Sequence, residues 1–270
     1  MTKIEFNKQD LARIVDDFLK TGDERELTQY LISKSNLPGP RGNLELAMAF
    51  ADLIEDNFLK NPERLWDLCT KAISISSDEA PANDPKEFLP FCGAYAIGAI
   101  GSVSSSLFPK VLFLFKELAR DSRWRTREAV AMGLQKMLAR KPEETLNELD
   151  AWIANGDWLV MRAVVAGVAE PRLLRDAQTA KKALEFHKKI FVKILDARER
   201  KSYAFKAMRK GLGYTFSVVI CGLPKEGFRL VHKMASSQDA DILWIVKQNL
   251  RKNRLIRNFP DEVASVKNLF

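Results

Sequence analysis

Apolar residues recur at spacings of three and four along almost the whole chain. That is the period of a helix with one buried face. Leu11, Ile14, Val15, Phe18 and Leu19 form one such stripe, and Leu44, Leu46, Ala47, Phe50, Leu53, Ile54 and Phe58 form another. Alternating Val, Ile and Thr runs and Asn-Gly turns are missing, so strands are not expected. Asn61-Pro62, Lys141-Pro142, Asn155-Gly156-Asp157, Glu170-Pro171 and Leu223-Pro224 separate the stripes. A proline in the first helical turn removes an N–H that would be unpaired there anyway. The pattern predicts about 12 to 14 helices joined by short turns.

The stripes contain a repeat. Small residues four apart occur at Ala94 and Gly98, Ala129 and Gly133, Ala163 and Gly167, and Ala207 and Gly211, at intervals of 35, 34 and 44 residues. An earlier pair, Ala47 and Ala51, precedes the first by 47. Residues four apart share a helix face, and small ones let a neighbouring helix approach closely. The middle two segments match further. Trp124 and Trp158 each stand five residues before the alanine, Val130 matches Val164, and Leu134 matches Val168. Such periods in helical sequence indicate stacked hairpins, each burying its apolar face on the next. The expected fold is all-α, a right-handed α-solenoid in one continuous domain over residues 1–270.

Composition changes this picture in one respect. The net charge of +8 hides a split. Residues 1–100 carry 11 basic and 17 acidic residues, whereas 101–270 carry 32 and 18. The acidic N-terminal repeats are therefore poor polyanion partners, and the basic remainder is a candidate for one.

Several classes are excluded. Phe88 to Pro109 is uncharged for 22 residues, long enough to span a bilayer. Pro90, three glycines and four serines are expected to break it into a short apolar helix and a polar turn, so no membrane segment is expected. Cys69, Cys92 and Cys221 lie far apart, and no metal site or disulfide framework is expected. His187 and His232 are expected on the surface or partly buried on helices. No phosphate-loop, nucleophile-elbow or zincin motif occurs, and no cofactor is implied. The charged N-terminus lacks a secretion signal, so a cytoplasmic monomer with reduced cysteines is expected.

The segment DSRWRTREAVAMGL, Asp121 to Leu134, resembles a HEAT-type repeat: a polar turn, an arginine, then small residues on the packing face. Asp121 or Ser122 is expected to cap the helix. Between Trp124 and Leu174 the chain is similar to the HEAT-like, AlkD-type family of bacterial DNA-alkylation-repair glycosylases. Trp152-Ile153-Ala154-Asn155 with Trp158, Arg162 and Ala163 is the most specific piece. The match covers about fifty residues. The resemblance implies a curved helical repeat holding duplex DNA in a basic groove and excising cationic alkylated bases without metal or cofactor. It also implies roles. Trp124 matches the family's tryptophan, Glu128 stands where the family has an aspartate, and Arg162 matches its arginine. A carboxylate stabilises oxocarbenium character, an indole face attracts a cationic base, and an arginine fork holds a phosphate. Where the family continues with a further Trp and Arg, Lys210 and Gly213 stand here. Each residue also has a structural reading. Glu128 suits helix pairing four residues apart. Trp124 and Trp158 suit wedges between hairpins, and Arg162 suits a bridge between turns.

The basic part supplies the remaining candidates. Arg172 to Lys210 contains 13 basic and 4 acidic residues. Lys181, Lys182, Lys188, Lys189 and Lys193 are expected on one long helix. Lys247, Arg251, Lys252, Arg254 and Arg257 are read as one three-turn stretch. Candidate phosphate ligands are Arg162, Arg198, Lys201, Lys206, Arg209, Lys210, Lys247 and Arg251, with Trp124 and Glu128 the candidate catalytic pair. The expected role is macromolecular binding on a concave face, with duplex DNA or another polyanion the leading partner. Glycosylase activity and a protein-interaction scaffold are the alternatives.

Overall fold

The computed structural model describes residues 6–269. All regular structure among them is helical, in fifteen α-helices and two short 3-10 turns. The chain divides into two compact units, residues 1–140 and 141–270.

The first unit contains α1 (Lys8–Thr21), α2 (Arg25–Ser33), α3 (Leu44–Phe58), α4 (Pro62–Ser74), α5 (Phe88–Val103), α6 (Phe108–Leu118) and α7 (Trp124–Arg140). Helix α5 is its centre and packs against α3, α4 and α7. Every residue from Phe88 to Ser102 is buried. This is the uncharged stretch. A helix apolar all round suits a site enclosed on every side, and no described helix is long and apolar enough to cross a membrane.

The stretch divides, as expected, into an apolar helix and a polar turn, but the glycines lie inside the helix and do not end it. Gly93, Gly98 and Gly101 lie inside α5. A Cβ on Gly98 would sit 2.3 Å from the Gly133 Cα, and one on Gly93 would sit 2.8 Å from the Ala72 Cβ. The missing side chains let the backbones of α5 and α7 touch. Pro90 sits in the first turn of α5, where its missing N–H leaves no carbonyl without a donor. The serines alone make the turn that follows, with Ser104 Oγ accepting from the Leu107 N–H at 3.4 Å.

The second unit contains α8 (Pro142–Asn155), α9 (Trp158–Val168), α10 (Ala177–Asp196), α11 (Tyr203–Gly222), α12 (Pro224–Ala235), α13 (Ala240–Leu250), α14 (Asn253–Asn258) and α15 (Pro260–Lys267). The last two raise the helix number above the expected range. They are too short to show a periodic stripe. Helix α11 packs between α9 and α13, and α10 packs on α8, α9 and α11. Side-chain caps on Asp157, Asp176, Ser202 and Asp239 start four of these helices. Asn249 is buried and ties α13 to α11. Its amide donates to Leu212 O at 2.9 Å, and its oxygen accepts from the Ser217 N–H at 2.7 Å.

His187 departs from the expected surface or half-buried place. It is fully buried on α10. Its Nδ1 lies 2.8 Å from Ala183 O and its Nε2 3.0 Å from Thr215 Oγ1. A carbonyl only accepts, so Nδ1 carries the proton and Nε2 accepts from the Thr215 hydroxyl. Burial lowers the imidazole pKa to about 4, and the Ala183 bond opposes it only partly.

Candidate nucleic-acid interface

Helices α9, α11 and α13 combine several cations, three of them exposed, with few carboxylates. Together these helices carry Arg162, Lys206, Arg209, Lys210 and Lys247 and a single carboxylate, Asp241. On α11, Phe205, Met208, Leu212 and Phe216 point into the core. Tyr203, Lys206 and Lys210, spaced three and four apart, are exposed and form one outward strip.

Two glycines set what borders that strip. Gly211 and Gly213 are two residues apart and so point to nearly opposite sides of α11. A Cβ on Gly211 would lie 3.2 Å from Arg162 Cγ of α9, and one on Gly213 would lie 3.1 Å from the Trp244 ring of α13. Arg162 and Trp244 therefore lie against α11 on its two flanks. Lys247 and Arg251, three and seven residues beyond Trp244, are exposed on α13 and just past its end.

The one carboxylate of this layer is already held. Arg209 Nε lies 2.9 Å from Asp241 Oδ1, and its guanidinium sits 4.1 Å from the centre of the Trp244 ring. Arg209 thus fixes Trp244 and neutralises Asp241, and it is half-buried in doing so. Arg200 contacts the same corner. Its Nη1 binds Asp239 Oδ2 at 2.5 Å and Asp241 Oδ2 at 3.2 Å, while Nη2 donates to Ile194 O at 2.6 Å. The Asp239 hydrogen bond raises the Arg200 pKa further, against its partial burial. Arg200 pins the 197–202 connection, which leaves its neighbours Arg198 and Lys201 exposed.

The lysines of α10 divide differently. Lys182 and Lys189 pair with Asp150 of α8 at 3.4 and 2.6 Å, and both reach Glu185. Burial pushes the Asp150 pKa up, but the bond from Lys189 and the nearby Lys182 outweigh it and hold it low. Lys193 donates to Ala154 O at 3.2 Å. Lys181 and Lys188 are exposed. The C-terminal basic residues are not one three-turn stretch, as read from sequence. The chain turns at Arg251 and Lys252 between α13 and α14.

Trp124 and Glu128 lie one turn apart at the start of α7 in the first unit. Trp124 is 45% exposed, so it is not the buried wedge its spacing suggested. One face of its indole carries the Arg125 guanidinium at 4.5 Å. Glu128 is half-buried. Trp158, also expected as a wedge, is half-buried and meets Phe205 edge-on at 5.2 Å.

The arginines around Trp124 are spent inside the first unit. Arg123, Arg125 and Arg127 are all buried. Arg123 binds both Asp121 oxygens and the carbonyls of Ile75, Ser76 and Ala80. Asp121 accepts from the Arg123 N–H at 2.7 Å, just before the helix starts, so it clamps this arginine as well as closing the turn. Arg125 binds Glu87 Oε2 at 2.9 Å and Gly39 O at 2.6 Å. Arg127 donates to Asp121 O at 2.5 Å and Ser122 O at 3.0 Å. The basic count of residues 101–140 therefore overstates the charge offered to solvent.

Sequence reasoning missed Trp244 and Tyr203. The signal was the spacing of Trp244 and Lys247, which places an aromatic beside a cation on one helix face.

No family model matches the chain, and no curated protein does. Among solved structures, it aligns over 97% of its length with 98% of an engineered protein from the Northeast Structural Genomics Consortium, at 13% identity and a TM-score of 0.37.

Proposed function

We propose that this protein is a HEAT-like helical-repeat protein that binds the sugar-phosphate backbone of duplex DNA across α9, α11 and α13. One observation carries the reading. Lys206 and Lys210 are exposed on α11, half-buried Arg162 of α9 lies against that helix, and Lys247 is exposed on neighbouring α13, while the single carboxylate of the three helices is bound by Arg200 and Arg209. Such a strip attracts phosphates without reading bases. The local resemblance around Trp124 to Leu174 and the charge of residues 141–270, 24 basic against 15 acidic, point the same way.

The test is duplex binding across a salt series. Binding at about 50 mM salt should weaken steeply as salt rises, because displaced counterions scale with phosphates contacted. Lys206→Ala with Lys210→Ala and Lys247→Ala should reduce the log–log salt slope by about 2 to 3. No binding at low salt, or an unchanged slope in the triple variant, overturns the reading. Glycosylase chemistry is a second reading, favoured by the exposure of Trp124 one turn from Glu128. Release of methylated purine from alkylated DNA, lost in Glu128→Gln, would support it. No release above buffer rejects it.

A further inference from the structure

The second unit has a cleft that the DNA-binding reading does not use. It measures about 660 Å³ and lies where α11 ends beside the 3-10 turn Leu173–Arg175 and α14. That volume lies within the range of small-molecule sites. Pro171, Leu174 and Val218 give it apolar walls. Arg175 and Arg254 line it from two different elements, and Cys221 lines it as well. Both arginines are exposed, and neither has a hydrogen-bond or ion-pair partner among the described residues.

This arrangement differs from that of the arginines held inside the fold. Arg123, Arg125, Arg200 and Arg209 each contact a carboxylate of their own unit. Arg175 and Arg254 instead face an open space with apolar walls. The C-terminal carbonyls of α11 contribute about half a negative charge at most, which two full positive charges exceed. Burial pushes the Cys221 thiol pKa up, and Arg254 partly offsets this, so the guanidinium lies within electrostatic reach of the sulfur.

From this geometry we infer that the cleft is a binding site for a small amphipathic organic anion. Its carboxylate or phosphate group would pair with Arg175 and Arg254, and a compact apolar body would lie on Pro171, Leu174 and Val218. Arginine forks match the planar geometry of a carboxylate or the oxygens of a phosphate. The inference stands on residues outside the α9–α11–α13 strip, so DNA binding and this site can fail separately.

Cys221 makes the site measurable. Cys69 and Cys92 are buried, whereas Cys221 is half-buried and within the cleft. The probe is 5,5′-dithiobis(2-nitrobenzoate), an aromatic carboxylate disulfide, against uncharged 4,4′-dithiodipyridine. In each case the Cys221 thiolate attacks a disulfide sulfur. A mixed disulfide forms, the other half leaves as a thiolate, and the thiol proton goes to solvent. Arg175→Gln with Arg254→Gln should slow the anionic reagent about tenfold, with the neutral rate unchanged within about twofold. Arg229→Gln with Lys233→Gln makes the same charge change on α12 outside the cleft, and should slow neither reagent.

Protection identifies the ligand group. Millimolar 2-naphthoate and 2-naphthyl phosphate are compared with 2-naphthylmethanol, using the neutral reagent. Protection by either anion but not by the alcohol supports the site, and the stronger anion names the preferred group. Equal slowing by the cleft and α12 variants, or no protection by either anion, overturns it.

Discussion

Acid should weaken this protein through one buried imidazole before its carboxylates titrate. His187 is fully buried. It faces Ala183 O, Thr215 Oγ1 and the stacked ring of Phe216. Its pKa falls to about 4 in the fold, against 6.5 as a free side chain. Between these values the unfolded chain takes up a proton that the folded chain refuses, so stability falls as pH falls. The contribution is fully present above pH 6.5 and is lost progressively towards pH 4. At pH 5 the two pKa values correspond to a loss of about 2 kcal/mol relative to pH 7.5. For a urea slope of about 2–3 kcal/mol/M, the midpoint should drop by roughly 0.7–1 M. The window is separate from that of the ion-paired carboxylates. Glu55, Asp150 and Asp239 are held low, so their stability is present above the ordinary carboxylate pKa and is lost below it. The assay is urea unfolding, followed by circular dichroism, at several pH values from 7.5 to 5. His187→Gln keeps polar atoms near Thr215 but cannot titrate, so it should flatten most of the slope. A wild type with equal midpoints at both ends, or a His187→Gln protein with the full slope, would refute the reasoning.

Three further outcomes test the packing. Gly98→Ala puts a methyl 2.3 Å from the backbone of Gly133, which cannot yield alone, and should cost about 1–3 kcal/mol in a melting or urea experiment. Gly211→Ala meets only the flexible Arg162 side chain at 3.2 Å, and should cost clearly less than Gly98→Ala. Equal losses in the two would show that close backbone contact is not the cause. Arg125→Met leaves Glu87 buried without its cation and should cost about 3–5 kcal/mol by urea unfolding, partly recovered by adding Glu87→Gln. No recovery in the double variant would mean that the carbonyl bond to Gly39 matters more than the pair.

The helical class was legible because burial of one face imposes a period on the sequence. Leu11, Ile14, Val15 and Phe18 show it, and all four are buried. The small-residue repeat was legible for a related reason: only a residue without a side chain permits the approach of α5 to α7 at Gly98 and Gly133. The candidate interface was legible only in part. Lys206 and Lys210, both candidate phosphate ligands, are four apart and exposed. Arg209, between them in sequence, turns aside to Asp241 and Trp244.

Local patterning by itself therefore determined that the chain is helical, which faces are apolar and where the backbones must touch. Tertiary structure alone decided which charges remain available to a partner. Arg125 meets Gly39 across 86 residues, Arg123 meets Ile75 across 48, and Arg200 meets Asp239 across 39. A sequence count treats these arginines like Arg175 or Lys206. The reason is range: periodicity is written within a few turns of helix, whereas the partner that neutralises a charge can come from any part of the chain.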